Sequence, residues 1–221
     1  MMAKGIVQAA VLPRASYKDL FVPKGDNRLL HEHGPCLIAT SSIRRKAQWL
    51  HRYPSDIIEN LRGNVNTRLR KVEESNWLGA IFAAAGLERI GLRPDNAEEL
   101  DWMLPAPAQG AIIVVCREQD TYAKEACAPF HDSETALCTA IERDFLRGLM
   151  GGCSTPISGL AEIDGGDVIF RGNILSTDGR QKQEVMKKVP MLYAANLGNE
   201  AAMELLDNGG NEILTEFKKA H

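Results

Sequence analysis

The sequence has few cysteines and no apolar run long enough for a membrane span. Its 221 residues include five cysteines, an odd number, and no two of them form a C-x-x-C pair. That usage argues against a disulfide framework or a zinc ribbon and favours a reducing compartment. No apolar stretch approaches the ~20 residues of a membrane span, and the first residues lack the apolar core of a secretory signal. We therefore expect a cytoplasmic protein that is not bound to a membrane.

A strong excess of charge of one sign is also missing. The formal net charge is −3 and the isoelectric point is near 6.0, which makes nucleic acid a poor candidate partner. Residues 1–110 carry 15 Lys and Arg against 12 Asp and Glu, whereas residues 111–221 carry 11 against 17. An anionic ligand is therefore expected to bind the first half of the chain.

Metal and nucleotide motifs are absent as well. His31 and His33 flank Glu32, but no third ligand with suitable spacing follows, so we expect a solvated loop and no metal site. Neither a G-x-G-x-x-G string nor a P-loop occurs.

Residues 36–91 alternate between short apolar runs and helical patterns. The apolar runs predict strands at 36–40, 56–61 and 78–85, and the intervening patterns predict helices at 43–52, 65–75 and 86–91. This order favours right-handed crossovers and a parallel sheet.

Arginines gather where these predicted strands end and the helices begin: Arg44, Arg45, Arg62, Arg68 and Arg89. Ligands of parallel sheets bind at this edge, against helix N-termini. Guanidinium groups there favour a carboxylate or a phosphate. A ligand with several carboxylates along its length fits the row best.

The remainder of the chain predicts a second unit. A Pro-rich hinge at 104–110 leads to a strand at 111–116, a helix at 133–149 and antiparallel strands joined at 164–167 and 177–179. A closing helix is predicted at 191–207 and ends at Gly209 and Gly210. Glu142 and Arg143 are expected on a solvated helix face. We thus expect an α/β fold with a parallel-sheet domain, similar to half of a periplasmic binding protein, and a small α+β domain with an antiparallel sheet.

Five ordered motifs resemble the porphobilinogen deaminase family, also called hydroxymethylbilane synthase. They are TSSIRR at 40–45, LRGNVNTRL at 61–69, AAGLERIGL at 84–92, AQGA at 108–111, and GGC at 151–153 with PI at 156–157 and AE at 161–162. The resemblance implies an enzyme of tetrapyrrole synthesis that condenses four porphobilinogen molecules, with loss of ammonia, into a linear hydroxymethylbilane. It also implies a dipyrromethane cofactor held by a thioether at Cys153, on a loop that two glycines leave open.

The resemblance further implies a role for each matching residue. The cofactor-binding set comprises Cys153, Thr40, Ser42, Arg44, Arg45, Arg68 and Gly86. The substrate-binding set comprises Arg62, Arg89 and Gln109, and Arg62 and Arg68 are the catalytic candidates.

The chain departs from the family pattern at several points. The family's K-D-V-P motif, with its essential aspartate, is not found; the closest string is KDLF at 18–21, in a region that aligns elsewhere. Ala39 and Ala108 stand where the family tends to have glycine. The resemblance implies a first domain ahead of the segment that matches residue 10, and the strand at 111–116 would insert into that domain and be an orphan edge here.

Three domain segments follow from this comparison: 1–110, which resembles the family's second domain; 111–132, a strand and linker that would belong to the first domain; and 133–221, which carries the cofactor cysteine. Two functions stay open. One is the enzyme, with the first domain supplied by another chain. The other is a non-catalytic homologue that binds a dipyrromethane, a bilane or another polycarboxylate. Pairing of the chain with itself or with a partner is compatible with both.

Overall fold

The first sheet has five strands and a mixed arrangement. The computed structural model describes residues 3–25, 34–152 and 155–220. The strands are β2 (Asp19–Pro23), β3 (Leu37–Ala39), β4 (Ile57–Glu59), β5 (Gly79–Ala83) and β6 (Glu98–Glu99), in the order β4-β3-β5-β2-β6. β3 runs parallel to β4 and β5, which confirms the predicted parallel arrangement. β2 runs antiparallel to β5 and β6, which local sequence did not indicate.

A helix follows each of the three parallel strands. These are α1 (Ile43–Arg52), α2 (Val65–Glu74) and α3 (Ala84–Glu88). Ser42 caps α1 by accepting a hydrogen bond from the Arg45 backbone N–H, and Asn64 caps α2 in the same way. Such caps satisfy N–H groups that have no partner within the helix, so the predicted starts of α1 and α2 are confirmed.

Both faces of this sheet are covered. Alternate residues of a strand point to opposite faces, and β2 follows this rule: Leu20 packs in a cluster with α2 and α3, while Phe21 packs in another with Trp49 of α1. The sheet therefore lies between two helical layers, as expected for an α/β domain.

A separate two-stranded ribbon joins the start of the chain to the segment after the hinge. β1 (Ile6–Val11) pairs antiparallel with β7 (Ile113–Arg117), and α4 (Thr121–Cys127) follows. We expected the strand at 111–116 to have no partner strand. That expectation is wrong for one of its two edges, because β1 pairs with it there.

The last third is a helix-covered antiparallel sheet. α5 (Ser133–Gly148) precedes β8 (Ile157–Asp164), β9 (Asp167–Leu175) and β10 (Lys182–Pro190), which pair in the order β10-β9-β8. Positive φ angles at Gly165 (59°) and Gly166 (91°) form the first predicted turn. Phe145 of α5 packs on Phe170 of β9 with ring centroids 4.9 Å apart, inside the main apolar cluster of this part.

The closing helix differs from its prediction. A 3₁₀ segment (Met191–Asn196) leads into α6 (Leu197–Leu205), a π-helical turn (Leu206–Gly210) and α7 (Asn211–Ala220). Gly209, at φ 101°, kinks the chain, and a further helix follows where we expected an end. In the described ranges, no helix is long and apolar enough to cross a membrane.

Candidate functional site

Thr40, Ser42, Arg44 and Arg45 lie at the carboxyl edge of the parallel strands, whereas Arg89 follows the C-terminal end of α3 and not its start. Thr40 directly follows β3, and its backbone N–H donates to the Glu59 carbonyl at the end of β4, at 2.8 Å. The Ser41 hydroxyl donates to the Leu61 carbonyl at 2.7 Å. These bonds place the turn after β3, which leads into α1, against the turn after β4, which leads into α2.

Asp19, at the start of β2, is the anionic centre of this edge. Its carboxylate is fully buried and accepts hydrogen bonds from the guanidinium groups of Arg44, at 2.7 Å, and of Arg45, at 2.7 and 3.1 Å. Arg44 donates further to the Leu104 carbonyl, at 2.6 Å, and Arg45 to the Ile81 carbonyl, at 3.3 Å. One carboxylate therefore fixes both arginines of the TSSIRR motif.

This cluster places one negative and two positive charges inside the protein. Burial alone would raise the pKa of Asp19, but the guanidiniums of Arg44 and Arg45 outweigh it and hold that pKa below its ordinary value of 3.8. Burial also lowers the pKa of Arg44, against the opposing effect of Asp19. Arg44 is only 5% exposed, so its charge is used mainly within the protein.

Gln109 connects the hinge to this cluster. Its side-chain amide N–H group donates to the Tyr17 carbonyl, at 2.7 Å, and to Asp19, at 2.9 Å, while its oxygen accepts from Arg44 at 3.2 Å. The preceding Ala108 adopts φ 63°, a left-handed conformation that costs energy for any residue with a Cβ. A glycine at position 108, as in the related family, would avoid that strain.

The other predicted arginines have uncommitted charges. Arg62 and Arg89 are exposed and Arg68 is half-buried. Among the residues that the structure describes, none of the three forms an ion pair, and the Arg68 Nε is buried without a hydrogen-bond partner. Since a buried donor without a partner is costly, this atom marks a place where a ligand oxygen would be stabilising.

Gly86 of α3 leaves open space, because a Cβ built there would meet no atom within 4 Å. Cys153 lies outside the described residues, as do His31, Glu32 and His33. Nearby, the Thr155 hydroxyl donates to the Gly152 carbonyl at 2.6 Å.

Sequence reasoning missed one group that organises the structure and misplaced another. Asp19 lies in the KDLF string, which does not match the family motif. Its partners Arg44 and Arg45 lie 25 and 26 residues further along the chain, so the local sequence does not reveal its role. The prediction for Glu142 was wrong: its side chain is fully buried, because it faces the hinge instead of water.

Glu142 joins α5 to the hinge and to β8. Its carboxylate pairs with Arg14 at 2.6 and 3.1 Å and accepts the backbone N–H groups of Ala108, at 2.5 Å, and Ala161, at 2.9 Å. Burial raises the pKa of Glu142 despite these bonds. Arg14 also donates to the Gln109 carbonyl at 3.0 Å, so a continuous polar path runs from Glu142 to Asp19.

Two family models match the chain. The model of the porphobilinogen deaminase dipyrromethane cofactor binding domain matches residues 1–125, and that of the porphobilinogen deaminase C-terminal domain matches residues 136–207. The chain belongs to the porphobilinogen deaminase family.

Curated relatives agree with this family assignment. The porphobilinogen deaminase of Syntrophotalea carbinolica is 38% identical over 97% of this chain and 69% of its own length. That of Thermus thermophilus is 37% identical over 97% of the chain and 72% of its length. The chloroplastic porphobilinogen deaminase of Pisum sativum is 40% identical over 90% of the chain and 56% of its length.

The residues present fit the cofactor that the family model names. A dipyrromethane carries several carboxylates, and the guanidiniums of Arg62, Arg68 and Arg89 form no ion pair within the described ranges. The Arg68 Nε without a partner and the open space at Gly86 match a group that needs both charge neutralisation and room.

Proposed function

We propose that the chain is a porphobilinogen deaminase, which condenses porphobilinogen head to tail into linear hydroxymethylbilane and releases one ammonia per unit. The observation that carries this proposal is the Arg68 Nε, which is buried without a partner among the described residues of a chain that matches the family's cofactor binding domain. The relatives named above bear the enzyme's name. This favours the enzyme over the non-catalytic binder.

The proposed cofactor contacts are those that the family resemblance implies. Cys153 would hold the dipyrromethane as a thioether, and the carboxylates would lie against Thr40, Ser42, Arg45, Arg68 and the space at Gly86. When bound, the group supplies the pyrrole end on which the family's chain grows. Arg44 would act indirectly. Its guanidinium is buried against Asp19, and this ion pair sets the position of the α1 N-terminus.

The proposed substrate contacts use the exposed arginines. Arg62 and Arg89 would neutralise the acetate and propionate groups of an incoming pyrrole, and Gln109 would hold the hinge in register with them. Arg62 and Arg68 would act as the catalytic pair by holding two pyrroles in line for attack. Fixed cations at developing charge lower a barrier through positioning and electrostatic stabilisation.

We further propose that each of the three segments expected from the sequence has its own role. Residues 1–110 would bind carboxylates, residues 133–221 would present Cys153, and residues 111–132 would link the two. A cytoplasmic location and the tetrapyrrole pathway served stay predictions.

Turnover and loading are tested together. Purified protein is incubated with porphobilinogen, ammonia release is measured, and the product is oxidised in acid and read as porphyrin fluorescence. Intact mass reports the dipyrromethane adduct. We expect both signals in the wild type, loss of the adduct in Cys153→Ser, and at least about a tenfold fall in kcat/KM in Arg68→Ala.

Arg70→Ala is the matched control, since Arg70 lies on the same helix, is exposed and pairs with the equally exposed Glu74. An adduct without any product would refute the condensing activity and leave the binding function. An adduct that persists in Cys153→Ser would show that the attachment site is wrong.

Association with a second copy of the chain is also part of this proposal. No strand in the described ranges pairs with the outer edges of β1 and β7, and Val115 of β7 is 48% exposed. Such edges readily accept another strand. Light scattering should give a dimer for the wild type and a monomer for Val115→Lys; a monomeric wild type would overturn the idea.

A further inference from the structure

A cavity lies between the C-terminal end of α1 and the outer face of the three-stranded sheet. It measures about 430 Å³ and adjoins a second cavity of about 260 Å³; Trp102, Asn173 and Lys182 line both. Arg52, in its wall, is eight residues from Arg44 along α1, which is roughly 12 Å at the helical rise. The cavity is therefore separate from the arginine edge described above.

Asn173 of β9 gives this cavity a polar wall without internal partners. The residue is only 6% exposed, and its Oδ1 is buried without a hydrogen-bond partner in the described part of the chain. Ser158, its neighbour in register on β8, differs, because its hydroxyl accepts from the Gln48 amide at 3.0 Å. Buried amide oxygens are normally hydrogen-bonded, so the Asn173 Oδ1, which has no acceptor role within the described residues, points to a hydrogen-bond donor outside the chain.

The larger cavity is cationic. His51, Arg52 and Lys182 line it, and no Asp or Glu does. The Arg52 guanidinium lies over the Trp102 ring, 5.0 Å from its centroid, and forms no ion pair within the described ranges. His51 Nδ1 donates to the Gly179 carbonyl at 2.8 Å, so Nε2 of the neutral ring is an acceptor and the carboxylate-binding groups are Arg52 and Lys182. Lys182 pairs with Glu184, which lines the adjoining cavity.

We propose that this cavity is a second binding site, for a small polycarboxylate. Carboxylates would bind Arg52 and Lys182, where guanidinium and ammonium groups give charge-assisted hydrogen bonds. The Asn173 Oδ1 would accept a hydrogen bond from an N–H or O–H group of the same molecule, and Trp102 would provide an apolar wall. The site does not depend on the proposed reaction, because no residue assigned to that reaction lines it.

Two sources could supply such a ligand: a pyrrole that carries acetate and propionate groups, or a polycarboxylate without a pyrrole. Calorimetric titration of the full chain with porphobilinogen and, separately, with citrate distinguishes them. Inorganic phosphate serves as the third titrant, since it has the charge but no carboxylate. Tighter binding of porphobilinogen than of citrate at this site would indicate that the ligand is a pyrrole. Equal or tighter binding of citrate would indicate a polycarboxylate without a pyrrole.

Lys182→Met and Asn173→Asp place the binding at this cavity. Lys182→Met keeps an apolar stem of similar length, and Asn173→Asp adds a negative charge with little change in shape. We expect each to raise the carboxylate Kd at least about tenfold. Lys188→Met is the control, since Lys188 lies on the same strand and pairs with Asp167 instead.

The fold of each variant is checked by circular dichroism and thermal unfolding. Carboxylate binding that is unchanged in both Lys182→Met and Asn173→Asp would overturn the proposal. So would wild-type protein that binds neither carboxylate at millimolar concentration, or that binds phosphate alone. Loss of product formation with intact citrate binding would refute only the proposed function, so the two failures are distinguishable.

Discussion

Replacement of Asp19 by asparagine tests the charge arrangement at the centre of the structure. The change keeps the size of the side chain and removes one negative charge from a fully buried position. Arg44, 5% exposed, then keeps the Leu104 carbonyl and the Gln109 side chain as acceptors and shares with Arg45 the one oxygen that asparagine leaves at position 19. Arg45 loses both of its bonds to a carboxylate.

The expected loss of stability is large. Removing one partner of a buried ion pair leaves an uncompensated charge and costs about 3–5 kcal/mol. Because asparagine retains one oxygen acceptor, we expect a value near the lower end, about 3 kcal/mol. Urea unfolding at neutral pH measures it. Asp101→Asn is the control: Asp101 is 74% exposed and pairs with Lys18, so its loss should cost less than about 1 kcal/mol.

The pH dependence has a definite sign. The folded-state pKa of Asp19 lies below its ordinary value of 3.8, so the folded state binds this proton less readily than the unfolded state. The stabilisation is therefore complete above pH 3.8 and is lost as the pH falls through the folded-state pKa. Wild type and Asp19→Asn should consequently differ most near neutral pH and converge in acid.

Two results would refute this reasoning. One is a decrease in the free energy of unfolding of Asp19→Asn below about 1 kcal/mol at neutral pH, which is the value expected for an exposed ion pair. The other is a difference between the two proteins that widens in acid.

Three further predictions concern burial. Glu142→Gln should lower the free energy of unfolding by about 3 kcal/mol, measured in urea, because it removes the buried partner of Arg14. Gly198→Ala should lower the thermal midpoint, at a cost of about 3 kcal/mol, because the new Cβ would clash with the Ile141 carbonyl oxygen. Burial raises the pKa of Cys138 to about 11, so iodoacetamide should leave it unmodified in the native protein at mildly alkaline pH, as read by peptide mapping.

Each of these has an internal comparison. Gly86→Ala adds the same methyl group in open space, and a thermal midpoint as low as that of Gly198→Ala would contradict the packing argument. Cys127 is half-buried, and alkylation of Cys138 at the same rate would show that burial does not protect it. A Glu142→Gln variant as stable as the wild type would mean that the Arg14 contact contributes nothing.

Local signals predicted the parallel part of the fold well. α1 and α2 begin where Ser42 and Asn64 supply the capping oxygen, and both residues are visible in the sequence as N-cap types. The antiparallel position of β2 could not be read in this way. Its partner β5 lies some sixty residues further on, and nothing in Asp19–Pro23 distinguishes a parallel strand from an antiparallel one.

The position of the candidate site could be predicted from the sequence, but the ion pairs and hydrogen bonds within it could not. The arginines at strand ends were visible from spacing alone. Which of them are committed within the protein depends on Asp19, and a charged residue at the start of a strand normally suggests a surface position. Glu142 shows the same limit, since only the tertiary contact with Arg14 makes its burial tolerable.

The contacts of Glu142 couple the position of α5 to that of the arginines at the start of α1. Apolar surfaces tolerate small sliding, whereas a carboxylate held by a guanidinium and two backbone N–H groups permits one orientation. Through Arg14 and Gln109, that orientation extends to the side chains that hold α1. A substitution on the inner face of α5 would therefore shift the spacing of the arginine row, although no atom of α5 belongs to it.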